Sequence, residues 1–305
     1  MAIPARRTPQ VRKIPNREEV MGRKDSEGNT VKYYGWSSLV ITSKKGGDLT
    51  FDPFFSEDYG THWSDLSDYN NVSVICVSHG HHEHYTDAYK VASRTGAMIV
   101  APPRVCQHLH SHFAVPNQQL TPLKPGETVT VNGYSITAFP WYHRKINYFK
   151  FFAGRFFTGC RFVLTNLLHT PLDTPFSGFM VVTPEGTRIL NLSEGMNDKM
   201  PSSEVAALRE RHKPDVVTGG YQLQFEREVA RCFKESGAPK GILYHPHEKL
   251  FGLMKLYSTP VEIVKQRIEE VAPAMQLFAP APREEIFVQK EVSETEENKS
   301  DAEVA

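Results

Sequence analysis

The sequence has no excess charge of either sign, no cysteine pair, no long apolar run and no evident internal repeat. Lys and Arg number 35 and Asp and Glu number 35, so the formal net charge is zero. That balance argues against a nucleic-acid binder with a basic footprint. Cys76, Cys106, Cys160 and Cys232 are scattered without a C-x-x-C pair. In a chain of this length they are neither a disulfide framework nor a zinc ribbon, and reduced, mostly buried thiols are expected. No stretch approaches the roughly 18–20 apolar residues of a membrane span. The basic start, Met1-Ala-Ile-Pro-Ala-Arg-Arg, is not followed by an apolar segment, which supports neither a secretory nor a twin-arginine signal. A cytoplasmic protein without a transmembrane segment is the expectation.

Hydrophobic residues make up 40% of the 305 and charged residues 23%, enough apolar content for a sizeable core. Residues 1–28 mix Arg, Lys, Pro and Glu without periodicity and read as an extended arm. Residues 289–305 are acidic and poor in large apolar side chains, and read as a disordered tail. Between them, 29–288 reads as one mixed α/β domain. Residues 32–42 and 48–54 are β-rich and separated by Lys-Lys-Gly-Gly turn chemistry. Val72 to Val77 is a nearly continuous apolar strand, as expected if both its faces are covered. A helix follows over 86–95, with Thr86 placed to cap it and Gly96 to end it. Met98 to Ala101 is a short buried strand. Asn132-Gly133 and Pro184-Glu185-Gly186 each mark a hairpin turn. Helices over 202–211 and 226–236 lead into apolar strands near Val216 and Ile242. Hairpins come first, then strands alternate with helices, and the order occurs twice. Two sheets face to face with helices outside accommodate that order.

The segment Ser78-His79-Gly80-His81-His82-Glu83-His84 follows the buried strand and concentrates the chemistry. Four histidines and a carboxylate in six residues repel and resist desolvation unless a divalent metal offsets both. In extended backbone His79 and His81 project to one side, so one metal can take both. A turn into a helix at Glu83 swings Glu83 and His84 towards a second position. Imidazole and carboxylate donors suit zinc, iron or manganese, and the lack of thiolate counts against a purely structural zinc site.

His-x-His-x-Glu-His closely resembles the His-x-His-x-Asp-His motif of the metallo-β-lactamase fold superfamily, and the resemblance extends over most of 30–288. Tyr34-Gly-Trp-Ser-Ser-Leu-Val-Ile with Leu49-Thr-Phe-Asp-Pro-Phe-Phe is similar to the opening of the branch containing ascorbate-phosphate lactonase and N-acyl-phosphatidylethanolamine phospholipase D. The resemblance implies an α/β fold, the αββα four-layer sandwich. It also implies one or two metals at the rim between the sheets, and activated water attacking an ester, lactone, amide or phosphodiester. It implies His143 beside His79 and His81 on the first metal, Glu194 bridging both metals, and a last histidine after the final helix–strand unit. His247 is favoured there and His245 is the alternative. Asp52 is expected to support the ligand shell by hydrogen bonds. Glu83 and Glu194 stand where the family usually has Asp, and the extra methylene changes how each carboxylate chelates or bridges.

These readings imply a dinuclear metal-dependent hydrolase with two divalent ions, zinc first, iron or manganese as alternatives. Its catalytic residues would be Glu83 and Glu194, and its substrate a small or lipid-like molecule. A di-iron or manganese redox enzyme on the same fold is the competing expectation. His62 and Tyr221 are candidates for substrate contact. The aromatic insertion at 147–159 includes Phe151 and Phe152. It suits a lid or pocket wall, a contact in a homo-oligomer, a membrane-surface wedge, or ordinary core. His108-Leu-His110-Ser-His112 reads as a polar surface turn.

Overall fold

The computed structural model describes residues 28–55, 63–142, 156–169, 175–196, 198–221, 225–255 and 257–288. The expected arm (beyond Gly28) and acidic tail lie outside these residues, as do His62, His143, Phe151 and Phe152.

Two seven-stranded sheets form the centre. The first has the order β14 (Glu285–Val288), β1 (Asn29–Tyr33), β2 (Leu39–Thr42), β3 (Asp48–Phe51), β4 (Val72–Cys76), β5 (Met98–Ala101) and β6 (Leu120–Pro122). The second runs β13 (Gln276–Phe278), β12 (Lys240–Tyr244), β11 (Val216–Gly220), β10 (Arg188–Asn191), β9 (Ser177–Val182), β8 (Tyr134–Pro140) and β7 (Thr128–Val131). Each sheet has an antiparallel half and a parallel half. β3 to β6 run parallel in the first, and β10 to β13 in the second. The order expected to occur twice is therefore laid out as two equivalent sheets.

Side-chain alternation assigns the layers. Ile41, Leu49, Phe51, Val74 and Cys76 meet Ile136, Phe179, Val181, Ile189 and Ile242 in the core between the sheets. The outer face of the first sheet, with Ile75, Val77 and Ile99, packs on α2 (Ala88–Thr95) and α3 (Pro103–Phe113) through Val91, Val105 and Leu109. That of the second, with Leu190, Val217 and Leu243, packs on α5 (Ser202–His212), α6 (Glu226–Ser236) and α8 (Val261–Val271). β4 shows why its sequence is continuously apolar. Val74 and Cys76 face the opposite sheet while Ile75 and Val77 face helices. This is the αββα sandwich. Among the described residues the remaining α-helices are α1 (His82–Tyr85), α4 (Phe156–His169) and α7 (Glu248–Met254).

Two expectations need correction. The helix read over 86–95 begins only at Ala88, as α2, and a separate turn of helix, α1, precedes it. Thr86 closes α1 rather than capping α2, with its hydroxyl 2.9 Å from His82 Nδ1, and Asp87 holds the N-cap of α2. The segment His108 to His112 is not a turn; it belongs to α3. Pro103 starts that helix and Val105, Cys106 and Leu109 bury its inner face.

Candidate metal centre

The loops that leave the carboxyl ends of β3, β4, β10 and β12 converge at one rim. They carry Asp52, the His79–His84 segment, Ser193-Glu194 and His245–His247 respectively. The backbone is held there in unusual shapes. Asp52 (φ 40°), Ser193 (φ 51°) and Trp36 (φ 50°) are non-glycine residues in the left-handed region, which persists only where surrounding contacts fix it. Gly195 follows at φ 92°, and a Cβ there would stand 1.7 Å from the Gly220 carbonyl oxygen. Only glycine lets the Glu194 loop pass so close to β11.

Glu194 Oε1 lies 2.8 Å from His84 Nε2 and 3.3 Å from His247 Nε2. His79 Nε2 lies 3.0 Å from His81 Nδ1, and the His79 and His84 ring centroids are 4.0 Å apart. His79, His84 and Glu194 each offer one donor atom within 4.8 Å of the others, and all three are buried. His81 is half-buried, so the cluster meets solvent on its side.

A hydrogen-bond layer behind the donors fixes their orientation. Asp52 Oδ1 accepts from the Ser78 amide (2.7 Å), and Oδ2 accepts from the Ser78 hydroxyl (2.6 Å) and from His84 Nδ1 (2.9 Å). The Ser193 hydroxyl stands 3.3 Å from the same Oδ2 and 3.1 Å from Ser78 Oγ. His79 Nδ1 is 2.9 Å from Ser78 Oγ. With the Ser78 proton on Asp52, His79 Nδ1–H donates to Ser78, and the His79 Nε2 lone pair is turned towards the cluster. Asp52 does the same for His84. Both imidazoles thus present Nε2 to a shared position, the arrangement that outer carboxylates and hydroxyls impose on metal-ligating histidines.

Electrostatics point the same way. Burial works to lower the His84 pKa, but the Asp52 and Glu194 carboxylates overcome it and hold the group well above its ordinary value. Burial works to raise Glu194, and His247 and His84 together pull it well below. Burial dominates at Glu83 and pushes its carboxyl up. Glu83 Oε2 and His247 Nδ1 are buried without a hydrogen-bond partner. A buried set of this kind, with two imidazole nitrogens gathered at one carboxylate oxygen and an orphaned carboxylate oxygen nearby, is stabilised by a divalent cation. The residues present fit one.

The structure therefore brings together His79, His81, His84, Glu194 and His247, with Glu83 alongside and Asp52 behind. His245 is not among them. Its ring packs 4.6 Å from Tyr221, and both its nitrogens are buried without a hydrogen-bond partner. Burial, then His247, lowers its pKa to about 3. Tyr221, a candidate for substrate contact, is instead buried, and its hydroxyl donates to the Thr259 carbonyl at 2.7 Å. Ser78, Ser193, Trp36, Trp141 and Phe176 were not singled out by sequence reasoning. Trp141 and Phe176 pack against His79 at 5.5 and 4.9 Å, and Trp36 against His247 at 5.5 Å. Ser78 adjoins the histidine motif, a usable signal; the others are joined to it only by the fold.

The Beta-lactamase superfamily domain matches residues 49–186. A UPF0173 metal-dependent hydrolase of Rubrobacter xylanophilus is 30% identical over 116 residues, 38% of this chain and 46% of that protein. One from Methanosarcina mazei is 29% identical over 109 residues, 35% of this chain and 43% of the other. The chain thus spans less than half the length of these curated relatives. Among solved structures, Igni18, a metallo hydrolase from Ignicoccus hospitalis, has TM-score 0.63 at 15% identity over 86% of this chain and 99% of that one. CmlA, a diiron beta-hydroxylase from Streptomyces venezuelae, has TM-score 0.56 at 10% identity over 86% of this chain and 55% of that one. The sandwich is that of these structures, the metallo-β-lactamase fold, and the superfamily domain match covers residues 49–186, under half of the chain.

Proposed function

We propose that the chain is a metal-dependent hydrolase with two divalent cations, zinc first, acting on an ester, lactone or phosphodiester of a small or lipid-like molecule. The observation that carries this reading is the buried approach of His84 Nε2 and His247 Nε2 to one carboxylate oxygen, Glu194 Oε1. In it, His79, His81 and His143 would hold one cation, Glu83, His84 and His247 the other, and Glu194 would serve both. Bound there, such cations supply Lewis acidity at the scissile oxygen and lower the pKa of water at the site. Asp52 keeps His84 Nδ1 protonated and its ring fixed, and Ser78 does so for His79. Trp36, Trp141 and Phe176 keep bulk water off the donors, which strengthens every charge interaction inside. Glu83 Oε2 is the atom available to bind a cation or to carry a proton. Glu83→Gln separates these roles, since loss of metal marks a ligand and loss of kcat at full metal content marks a proton carrier.

Glutamate at both 83 and 194, where the family usually has aspartate, supports a second reading as a di-iron or manganese redox enzyme. The test is protein purified without chelator and assayed on bis(p-nitrophenyl) phosphate and on simple lactones. Hydrolysis that disappears on chelation and returns with zinc supports the first reading. Bound iron with charge-transfer absorption, and no hydrolysis under any metal, supports the second.

A further inference from the structure

Helices α6 and α8 lie side by side on the second sheet, one joining β11 to β12 and the other β12 to β13. A cleft of about 570 Å³ opens between them. Arg227, Arg231 and Lys234 recur at i, i+4 and i+7, one face of α6, and Arg267 lines the same cleft from α8. Arg231 is occupied within the fold. Its guanidinium donates to Glu228, Glu235, Ser202 Oγ and the Met200 carbonyl at 2.6–2.9 Å. The other three are not. No hydrogen bond or ion pair joins the side chain of Arg227, Lys234 or Arg267 to another described residue. Arg227 and Lys234 are exposed and Arg267 is half-buried. Of the two carboxylates in the lining, Glu235 is held by Arg231 and Ser202, and Glu270 accepts from Gln266 at 3.2 Å. Four cations against two carboxylates therefore line one cleft, in a chain whose total charge is zero. Like charges gathered in this way repel, and an anion set among them removes the repulsion.

The lining indicates the kind of anion. Guanidinium forks pair in bidentate fashion with phosphate oxygens, and a lysine adds a mobile point charge. Ala230 and Val271 are the apolar part of the lining, and the arginine stems extend it. The volume falls within the roughly 300–1,000 Å³ typical of small-molecule sites. We propose that the α6–α8 cleft binds a small molecule of nucleotide size, with two or more phosphate groups and an apolar body. Its phosphates meet Arg227, Lys234 and Arg267, and its body rests on Ala230 and Val271. None of the residues that line the cleft belongs to the metal centre, which sits at the rim where the strands end. The cleft is a second site on the outer helical layer. It goes beyond the hydrolase reading and does not rest on it, since occupancy is measured without turnover.

The experiment is titration calorimetry of the full chain with ATP, tripolyphosphate and adenosine. The wild type is expected to take up one equivalent of ATP, to bind tripolyphosphate about tenfold more weakly, and to ignore adenosine. The affinity for ATP falls as salt is raised. Losing one charge-assisted hydrogen bond weakens binding about tenfold or more. The double substitution Lys234→Glu and Arg267→Glu therefore lowers ATP affinity by more than about tenfold. Its Tm without ligand stays at or above that of the wild type, because neither side chain has a partner to lose. His84→Ala, which disables the metal centre, binds ATP as the wild type does. Wild-type protein that takes up no ATP overturns the proposal, and so does a double variant that binds it as the wild type does. Tripolyphosphate or adenosine bound as tightly as ATP overturns it as well, as does a hexa-aspartate peptide bound more tightly. Loss of ATP binding in His84→Ala also overturns it, because the phosphates then sit at the metal centre.

Discussion

Asp52 touches Ser78, Ser193 and His84 through two carboxylate oxygens. The sequence Phe-Asp-Pro-Phe suggested a place near the rim but none of these partners. Its partners come from β4 and β10, and local sequence cannot name contacts made across a fold. Asp52→Asn is expected to keep the fold and weaken metal affinity by about 10- to 100-fold, because the amide no longer holds His84 in one tautomer. Competition with a chromogenic chelator measures this, and unchanged affinity would remove Asp52 from the account. Glu194→Gln should lose more activity than metal, since an amide oxygen can still coordinate but brings no bridging charge. For the last ligand, His247→Ala is expected to deplete the metal and His245→Ala to leave it in place. The spacing His245-Pro-His247 could not separate these two; the fold turns the His247 ring to Glu194 and packs the His245 ring against Tyr221.

Among the elements, those with strong local chemistry were readable: β5, α6 and the Asn132-Gly133 hairpin sit where propensity and turn residues put them. α3 was not, because three histidines at alternate positions hid the apolar spacing of Val105, Cys106 and Leu109 behind a strand-like rhythm. α4 was not read as a helix; the aromatic insertion expected at 147–159 overlaps only its first four residues. The Glu194 loop depends on Gly195, whose replacement by Ala meets a backbone oxygen and a left-handed φ together. Gly195→Ala should destabilise the protein by about 2 kcal/mol or more and displace Glu194, seen as a lower Tm with weaker metal uptake. At the far end of the sandwich the β9–β10 turn clasps the first sheet. Glu185 Oε1 accepts from the amides of Lys44 and Lys45 and from Ser43 Oγ, and Oε2 accepts from Asn29 Nδ2. Burial opposes ionisation there, but the hydrogen bonds from Asn29, Lys45 and Ser43 outweigh it and lower the Glu185 pKa to about 2. A depressed carboxylate stabilises above its ordinary value near 4.5 and loses that contribution as pH falls towards 2. The Tm gap between wild type and Glu185→Gln should therefore be full at neutral pH, shrink below about 4.5 and close near 2. The clasp is half-buried, so the gap is modest. A gap that does not change with pH would deny it a role.

Over the whole molecule, two equivalent sheets bring strand ends distant in sequence to one rim, and chemistry collects there. The His79–His84 motif pointed to the site because it supplies several donors from one segment. Glu194 and His247 lie more than a hundred residues away, and only the sandwich makes them neighbours. The claim on which the rest depends is that this buried cluster is a cation site. Elemental analysis of protein purified without chelator, wild type beside His84→Ala, tests it most directly. The account predicts at least one equivalent of zinc, iron or manganese in the wild type and most of it gone from the variant, with the fold intact by circular dichroism. A wild type that is metal-free and takes up none on dialysis, or a variant that retains the full complement, would contradict it.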